Sequence, residues 1–529
     1  MQQPYQSIRH FSDLMSDYLD EKEHLKQLYH RFPHSENFEY QIVEKKLEWK
    51  DAQNKRDVLF KVLEKQYQTI ADKELSFENI KLLQDPNTFT ITTGHQLNLF
   101  TGPLYFLYKI ISTINLCKKL KQLYPTYNFV PIYWMATEDH DFEEIQYFNY
   151  ADKKVVYNRD ATGGVGRLST EGLDDVLSVF KNILGKHDNA LEVIRLFKKG
   201  YLENENLADA TRVIAHELFK NDGLVVLDAD DASLKSIATP YFKDELISKA
   251  SFHAVKNTLE EWPEQYKIQV NPREINLFYL TNDYRKRIIE KDGTYLIDET
   301  ELSFSKDEIL EELKNHPERF SPNVIMRPLY QEIILPNLCY IGGGGEMAYW
   351  LELKKYFKSQ KVTFPMLLLR NSALLVTTKQ LKKIEKLELS VWDLFKVDHE
   401  LTTQLTHQIS DIKIDFTSQK LHLQKQFKEL HEIALKTDPS FENAVKAQER
   451  KQIKGLEKLE KRLLKAQKYK LKDHLNRALV LKKELFPNDS LQERQTNFSY
   501  FYQEYGIEFI EAIKENLDPL DLRFTVIEL

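Results

Sequence analysis

Four titratable residues stand in a row at Glu138-Asp139-His140-Asp141. Crowded carboxylates raise one another's proton affinity, and a carboxylate beside an imidazole favours its charged form. This run therefore suits acid–base work near neutral pH, or the holding of a substrate amine. The same side chains also include metal-ligating types. Neighbours on a turn diverge, however, and no second His or Cys pair in the sequence has zinc-like spacing, so no metal site is assigned. Capping of the following helix is the structural alternative.

A second stretch, Thr93-Gly94-His95-Gln96 through Gly102-Pro103-Leu104-Tyr105, carries His and Gln side chains in a loop that ends at a helix start. Unpaired N–H groups and the positive end of a helix dipole suit a carboxylate or phosphate there. A locally satisfied histidine is the plainer reading. The third stretch is Gly342-Gly343-Gly344-Gly345, followed by Glu346. Gly343-x-Gly345-x-x-Ala348 fits a dinucleotide fingerprint, yet about twenty residues on, where that fingerprint needs an acidic residue, the chain reads Leu367-Leu368-Leu369-Arg370. Hydride transfer is disfavoured, while close backbone approach to another ligand stays open. Glu346 is either a helix cap or a ligand for an ammonium group. Arg327 and Arg370 are the candidates for a carboxylate or phosphate clamp, because guanidinium is planar and bidentate.

These stretches need elements to bring them together. Phe89–Thr93 is β-branched and apolar, the mark of a buried strand, and Leu104 to about Leu123 repeats apolar residues at helical spacing. Phe129–Thr137, with Pro131 near its first pairs, Gly223–Asp228, Leu338–Ile341 and Phe364–Arg370 are further strands, and Arg327–Glu332 starts a short helix that Pro336 ends. Strands alternating with helices predict an α/β fold with a mostly parallel sheet. In such sheets ligands bind beyond the carboxyl ends of the strands, so the three stretches are expected to line one cleft.

The remaining chain sorts by composition. Residues 1–85 read as helical, 86–377 as the α/β core, and 491–529 as a segment packing back on it. Insertions are expected at about 151–220 and 240–320, with Asp292-Gly293 as a hairpin turn. Within 378–490, Ile409, Phe416, Leu423 and Leu430 fall seven apart, and Thr437-Asp438-Pro439-Ser440 breaks this long helix from a second one. An antiparallel coiled-coil hairpin follows, with a second subunit as the favoured cover for its apolar stripe. Residues 446–483 hold fourteen Lys and Arg against four Asp and Glu. Only Tyr469 offers a stacking ring there, so a solvated face or a contact with an acidic body is preferred to nucleic acid. Two distant cysteines, no signal-like N-terminus and no membrane-length apolar run point to a cytoplasmic protein.

Taken in order, Thr93-Gly94-His95-Gln96 with Leu99-Phe100-Thr101-Gly102-Pro103-Leu104-Tyr105, Trp134-Met135-Ala136-Thr137-Glu138-Asp139-His140-Asp141 and Arg327-Pro328-Leu329-Tyr330-Gln331 with Ile341 to Trp350 resemble the bacillithiol biosynthesis cysteine-adding enzymes, over nearly the whole chain. His95 and Asn98 depart from that family's first loop, which carries glutamine and glycine there. The resemblance implies a Rossmann-like core akin to class I aminoacyl-tRNA synthetases, connecting-peptide insertions and a C-terminal coiled-coil homodimer. It implies a ligase joining the carboxyl of cysteine to the amine of glucosaminyl-malate. Amide formation needs an activated carboxyl, which makes ATP, with Mg beside its phosphates, the expected cofactor. No lysine–serine signature supports a synthetase-like nucleotide site, so ATP rests on chemistry and fold analogy. The expected roles are Gly94, His95, Gln96, Gly102 and Tyr105 around phosphate or carboxylate, and Glu138, Asp139 and His140 at the amine and its proton. Arg327 and Gln331 are expected at the malate carboxylates, and Gly342, Gly343, Gly344, Glu346, Tyr349 and Trp350 in the floor. The rival readings are a coiled-coil interaction protein with a nucleotide-binding α/β body, and a nucleotidyl transferase.

Overall fold

The computed structural model describes residues 1–529. The chain forms two compact units, Met1–Leu375 with Ser490–Ile527, and Val376–Asp489.

In the first unit five strands form a parallel sheet: β1 (Thr88–His95), β2 (Asn128–Met135), β3 (Val225–Asp228), β4 (Asn337–Gly342) and β5 (Met366–Leu369). Their spatial order is β5-β4-β1-β2-β3, so the winding reverses between β1 and β4. Every residue of β1 is buried, as a strand covered on both faces requires. Its threonines remain compatible with that burial because their hydroxyls are paired. Thr90 and Thr92 Oγ1 donate to Asn337 Oδ1 of β4 (3.3 and 2.9 Å), and Thr93 Oγ1 donates to the Ile341 carbonyl (2.8 Å). Pro131 faces Ile91 across β1 and β2, one residue before β2 begins to pair with β3.

The crossing helices are α1 (Tyr105–Leu123), α2 (Ala232–Ser248), α3 (Met326–Ile334) and α4 (Gly344–Leu351). The glycine run is not a free loop, as the sequence suggested. Gly342 ends β4, Gly343 caps α4, and Gly344 and Gly345 are already helical. The turn before α1 is held unusually: Phe100, Thr101 and Gly102 have φ of 47°, 69° and 64°. Such backbone costs on the order of 1–3 kcal/mol per non-glycine residue and persists only where surroundings fix it. Here Phe100 N–H donates to Tyr201 Oη (2.7 Å), Asn497 Nδ2 donates to the Phe100 and Gly102 carbonyls (2.7 and 2.6 Å), and the Phe100 ring sits among Phe148, Phe180, Phe197 and Phe498.

Residues 277–322 form a five-stranded antiparallel sheet whose Asp292-Gly293 turn has φ of 50° and 80°, the signature of a tight hairpin. The N-terminal region is not purely helical: Gln2–Pro4 pairs with Arg523–Glu528.

The second unit contains the expected antiparallel hairpin, α5 (Thr417–Ala434) and α6 (Pro439–Lys470), with Asp438 capping α6 and Pro439 in its first turn. His431 with Glu449 (2.9 Å) and Lys420 with Glu460 (2.8 Å) fix its pairing. The heptad run is interrupted, however: Ile409 closes an earlier helix and Phe416 caps α5. Between them Ser410 Oγ accepts from Ile412 N–H and Asp415 Oδ1 from Thr417 N–H, local bonds that compete with a continuous helix. No helix is long and apolar enough to cross a membrane.

Asn337→Leu should strand the Thr90 and Thr92 hydroxyls and remove a donor from Glu332. An expected loss of about 2–4 kcal/mol should appear as a lower midpoint of chemical unfolding.

Candidate functional site

The carboxyl ends of all five strands open into one cavity of about 590 Å³ at the point where the strand order reverses. Its wall begins with Gly94 and His95 of β1, Trp134 and Met135 of β2, and Tyr340 of β4, and continues through Ala229 and Arg370 beyond β3 and β5. The three stretches singled out in the sequence therefore converge.

One side is basic. Lys109, on the first turns of α1, donates to the Gly94 carbonyl (2.8 Å) and forms a buried ion pair with Glu346. Glu346 also accepts from Tyr340 Oη (2.6 Å) and Gly343 N–H (2.9 Å). Burial opposes ionisation of Glu346, but Lys109 and these two donors hold its carboxyl below the usual range. Glu346 thus caps α4 and pairs with Lys109 while its carboxylate lines the cavity. Arg327, from the first turn of α3, donates to Gln331 Oε1 (3.1 Å) and Tyr349 Oη (3.2 Å) and lies against the rings of Trp134, Tyr340 and Trp350. It has no carboxylate partner. His95 is buried against Tyr105 and Phe106, with Nε2 unpaired at the cavity wall. Burial, reinforced by Lys109, pushes its basicity well below the ordinary value, so its ring is neutral at pH 7.

The other side is acidic and internally balanced. Glu138 pairs with Lys235 (2.5 Å), which also reaches Asp230 (2.8 Å), and Arg167 holds Asp230 by two bonds (2.8 and 3.1 Å). Thr137 Oγ1 donates to Asp228 Oδ1. Burial, with Asp230 nearby, raises the Glu138 carboxyl despite Lys235. Asp139 behaves oppositely: burial is outweighed by donors from His140, Gln96 Nε2 (3.0 Å) and the field of Arg285, which keep it ionised. Arg285 Nη1 donates to His140 Nδ1 (3.1 Å).

Most of the expected site residues meet at the cavity: Gly94, His95, Gln96 and Tyr105 from the first stretch, Glu138 and Asp139 from the second, and Arg327, Gly343, Gly344, Glu346 and Tyr349 from the third. Five do not line it. Gly102 serves the turn's backbone, since a Cβ there would meet Asn98 Cβ at 2.7 Å. Gln331 is buried between Arg327 and Glu332, Trp350 is buried on Tyr340 and Phe364, Gly342 sits inside β4, and His140 points to Arg285. Before the first turn of α1, where an anion site was expected, the Leu104 N–H is taken by the Thr496 carbonyl. Of the glycines of α4, Gly345 keeps its access, since a Cβ there would meet nothing within 4 Å, whereas one on Gly344 would meet Met15 Cγ at 3.2 Å. The sequence reading missed Lys109, a lysine in a helix otherwise buried at that position, and Arg285 and Arg494, which carry no local signal.

A charge-lined cavity at the switch point of a parallel sheet defines a Rossmann-like small-molecule-binding protein. The chain belongs to the bacillithiol biosynthesis BshC family: the model of the family's N-terminal Rossmann-like domain matches residues 1–371, and that of its C-terminal coiled-coil domain residues 373–529. Among its relatives, proteins named "Putative cysteine ligase BshC" from Flavobacterium johnsoniae and Christiangramia forsetii are 58% and 57% identical, over 99% of this chain and 99% and 98% of theirs. One of that name from Bacillus cereus AH187 is 28% identical over 86% of this chain and 87% of its own. A solved Campylobacter jejuni chain described as a putative arginyl-tRNA synthetase aligns over 84% of this chain and 98% of its own at 12% identity, with a TM-score of 0.22, too loose to bear on the fold.

Behind Arg327, Glu332 is fully buried and its carboxyl is pushed up to about 7 by burial, against the opposing Lys45 (3.5 Å) and donors from Asn337 and Gln331. Its unfolded value is about 4.3. The folded chain binds this proton more tightly, so the contribution favours folding fully below about pH 4.3 and is lost as pH rises through about 7. Glu332→Gln has no such titration. Its stability relative to the native protein should rise by about 2–3 kcal/mol between about pH 5 and pH 8, measured by chemical unfolding at each pH.

Proposed function

We propose that this protein is a ligase that adds cysteine to the amine of glucosaminyl-malate to give bacillithiol. One observation carries the reading: a single cavity at the sheet's switch point with a basic side and an acidic side, which suits a substrate bearing carboxylates at one end and an amine at the other. The names of the relatives, putative cysteine ligases, support cysteine as the group added.

In this mechanism Arg327 holds substrate carboxylate, with Gln331 and Tyr349 fixing its guanidinium. Asp139, kept ionised, accepts an N–H of the substrate's amine, which binds unprotonated with its lone pair free to attack. Glu138, whose proton affinity burial raises, takes the proton as the amine nitrogen attacks the activated carboxyl carbon of cysteine. The amide C–N bond forms and the activating group departs with its electron pair. ATP, with Mg at its phosphates, is the proposed source of that group. The N–H groups at the start of α4, the unpaired Nε of Arg370 and the side-chain-free Gly343–Gly345 backbone fit an anionic leaving group.

The decisive mixture is protein, ATP, cysteine and glucosaminyl-malate, searched by mass for the condensed thiol. Product is expected only with all four components, and Glu138→Gln should slow it by roughly 10²–10⁴-fold. Product without ATP would reject the activation step, and no product at all would reject the ligase.

The reading includes a homodimer through the hairpin, because Leu430 and Ile433 of α5 remain 43% and 55% exposed within their own unit. Sedimentation should give twice the chain mass, and a Leu430→Glu, Ile433→Glu variant should sediment as a monomer.

A further inference from the structure

Five cationic side chains line the cavity, and their partners separate them. Lys109 is neutralised by Glu346, and Arg370 by Glu493. Arg285 spends its three nitrogens on Ser321, His140 and the Pro322 carbonyl. Arg327 has two neutral acceptors. Arg494, exposed at the cavity wall, makes no hydrogen bond or ion pair through its guanidinium.

The backbone around Arg494 is nonetheless fixed with care. Gln492 bonds both the N–H and the carbonyl of Leu375 (3.0 and 3.1 Å). Glu493, fully buried, accepts from Arg370 Nη2 (2.7 Å), Ser372 Oγ and Ala373 N–H (both 3.1 Å). Asn497 holds the strained turn at Phe100–Gly102. A long charged side chain is thus presented to the cavity from a rigid base while lacking any protein partner. Ordering such a side chain costs entropy that only a contact can offset. Of the five, Arg494 alone has no partner, and Arg327 makes only two bonds, both to neutral acceptors; the two line one cavity.

We propose that Arg494 is a substrate-binding residue that, with Arg327, holds paired anionic oxygens of the ligand. Carboxylate and phosphate share this chemistry; resting on the ligase reading, the oxygens are the two carboxylates of the malyl group. Glu493 is then a positioning residue, since it sets Arg370 and the backbone from which Arg494 extends.

Calorimetric titration of the full chain tests this with L-malate, pyrophosphate and glucosaminyl-malate as separate probes, on native protein, Arg494→Gln and Arg494→Lys. Arg494→Gln should weaken malate and glucosaminyl-malate roughly ten- to a hundredfold and leave pyrophosphate unchanged, with Arg494→Lys recovering part of the loss. KM for glucosaminyl-malate should rise by a matching factor while that for cysteine holds. Equal malate affinity in native protein and Arg494→Gln, or no malate binding by native protein, overturns the proposal; so does a loss confined to pyrophosphate, which moves Arg494 to phosphate. Arg494-dependent malate binding with no consumption of glucosaminyl-malate would instead sink the ligase reading and leave this site standing.

Discussion

The buried ion pair between Lys109 and Glu346 is the contact on which the cavity's geometry depends. It ties α1, which follows β1, to α4, which follows β4, across the place where the sheet reverses its winding. Lys109 also anchors the end of β1 through the Gly94 carbonyl, and Glu346 anchors the start of α4 through Gly343. Each charge is sustainable there only because the other is present, since a lone buried ion is far costlier than the pair. The consequence reaches beyond the pair. With Lys109 and Glu346 satisfying one another, the guanidiniums remain as the positive groups that face the cavity's contents.

The acidic side follows the opposite plan. Glu138, Asp228, Asp230 and Asp139 crowd negative charge into a largely buried site, and Lys235, Arg167 and Arg285 are interleaved among them. Proton affinity then splits by partner. Asp139, fed by donors, stays charged, while Glu138, more deeply desolvated, is drawn towards its neutral form. Paired carboxylates whose environments push them apart are the physical basis for assigning one to amine binding and the other to proton transfer.

Much of this was legible in the chain. The run of Thr, Phe and Ile in β1 allows little else but a covered strand, Asp292-Gly293 allows little else but a tight turn, and Asp438-Pro439 writes the start of α6. The convergence of three remote stretches followed from topology, because parallel strands deliver their ends to one rim. What stayed hidden depends on partners far along the sequence. Gln2–Pro4 becomes a strand only against Arg523–Glu528. Gly102 is read as a ligand contact until Asn98 is seen beneath it, and Gln331 until Glu332 and Arg327 are seen to claim its amide. The heptad between Ile409 and Leu430 was real in spacing but broken by Ser410 and Asp415, whose short side chains bond the backbone locally.

The clamp formed by Gln492, Glu493 and Asn497 has a consequence for how the molecule is made. Arg370 leaves the ribosome 123 residues before the carboxylate that neutralises it. At typical elongation of roughly 5–20 residues per second, that is on the order of ten seconds during which a nearly finished sheet carries an uncompensated guanidinium and an untethered turn. The nascent sheet therefore waits, with its rim incomplete, while the helical hairpin is synthesised. A polypeptide ended after Leu375 would keep every strand of the parallel sheet and still lack the piece that locks its binding face.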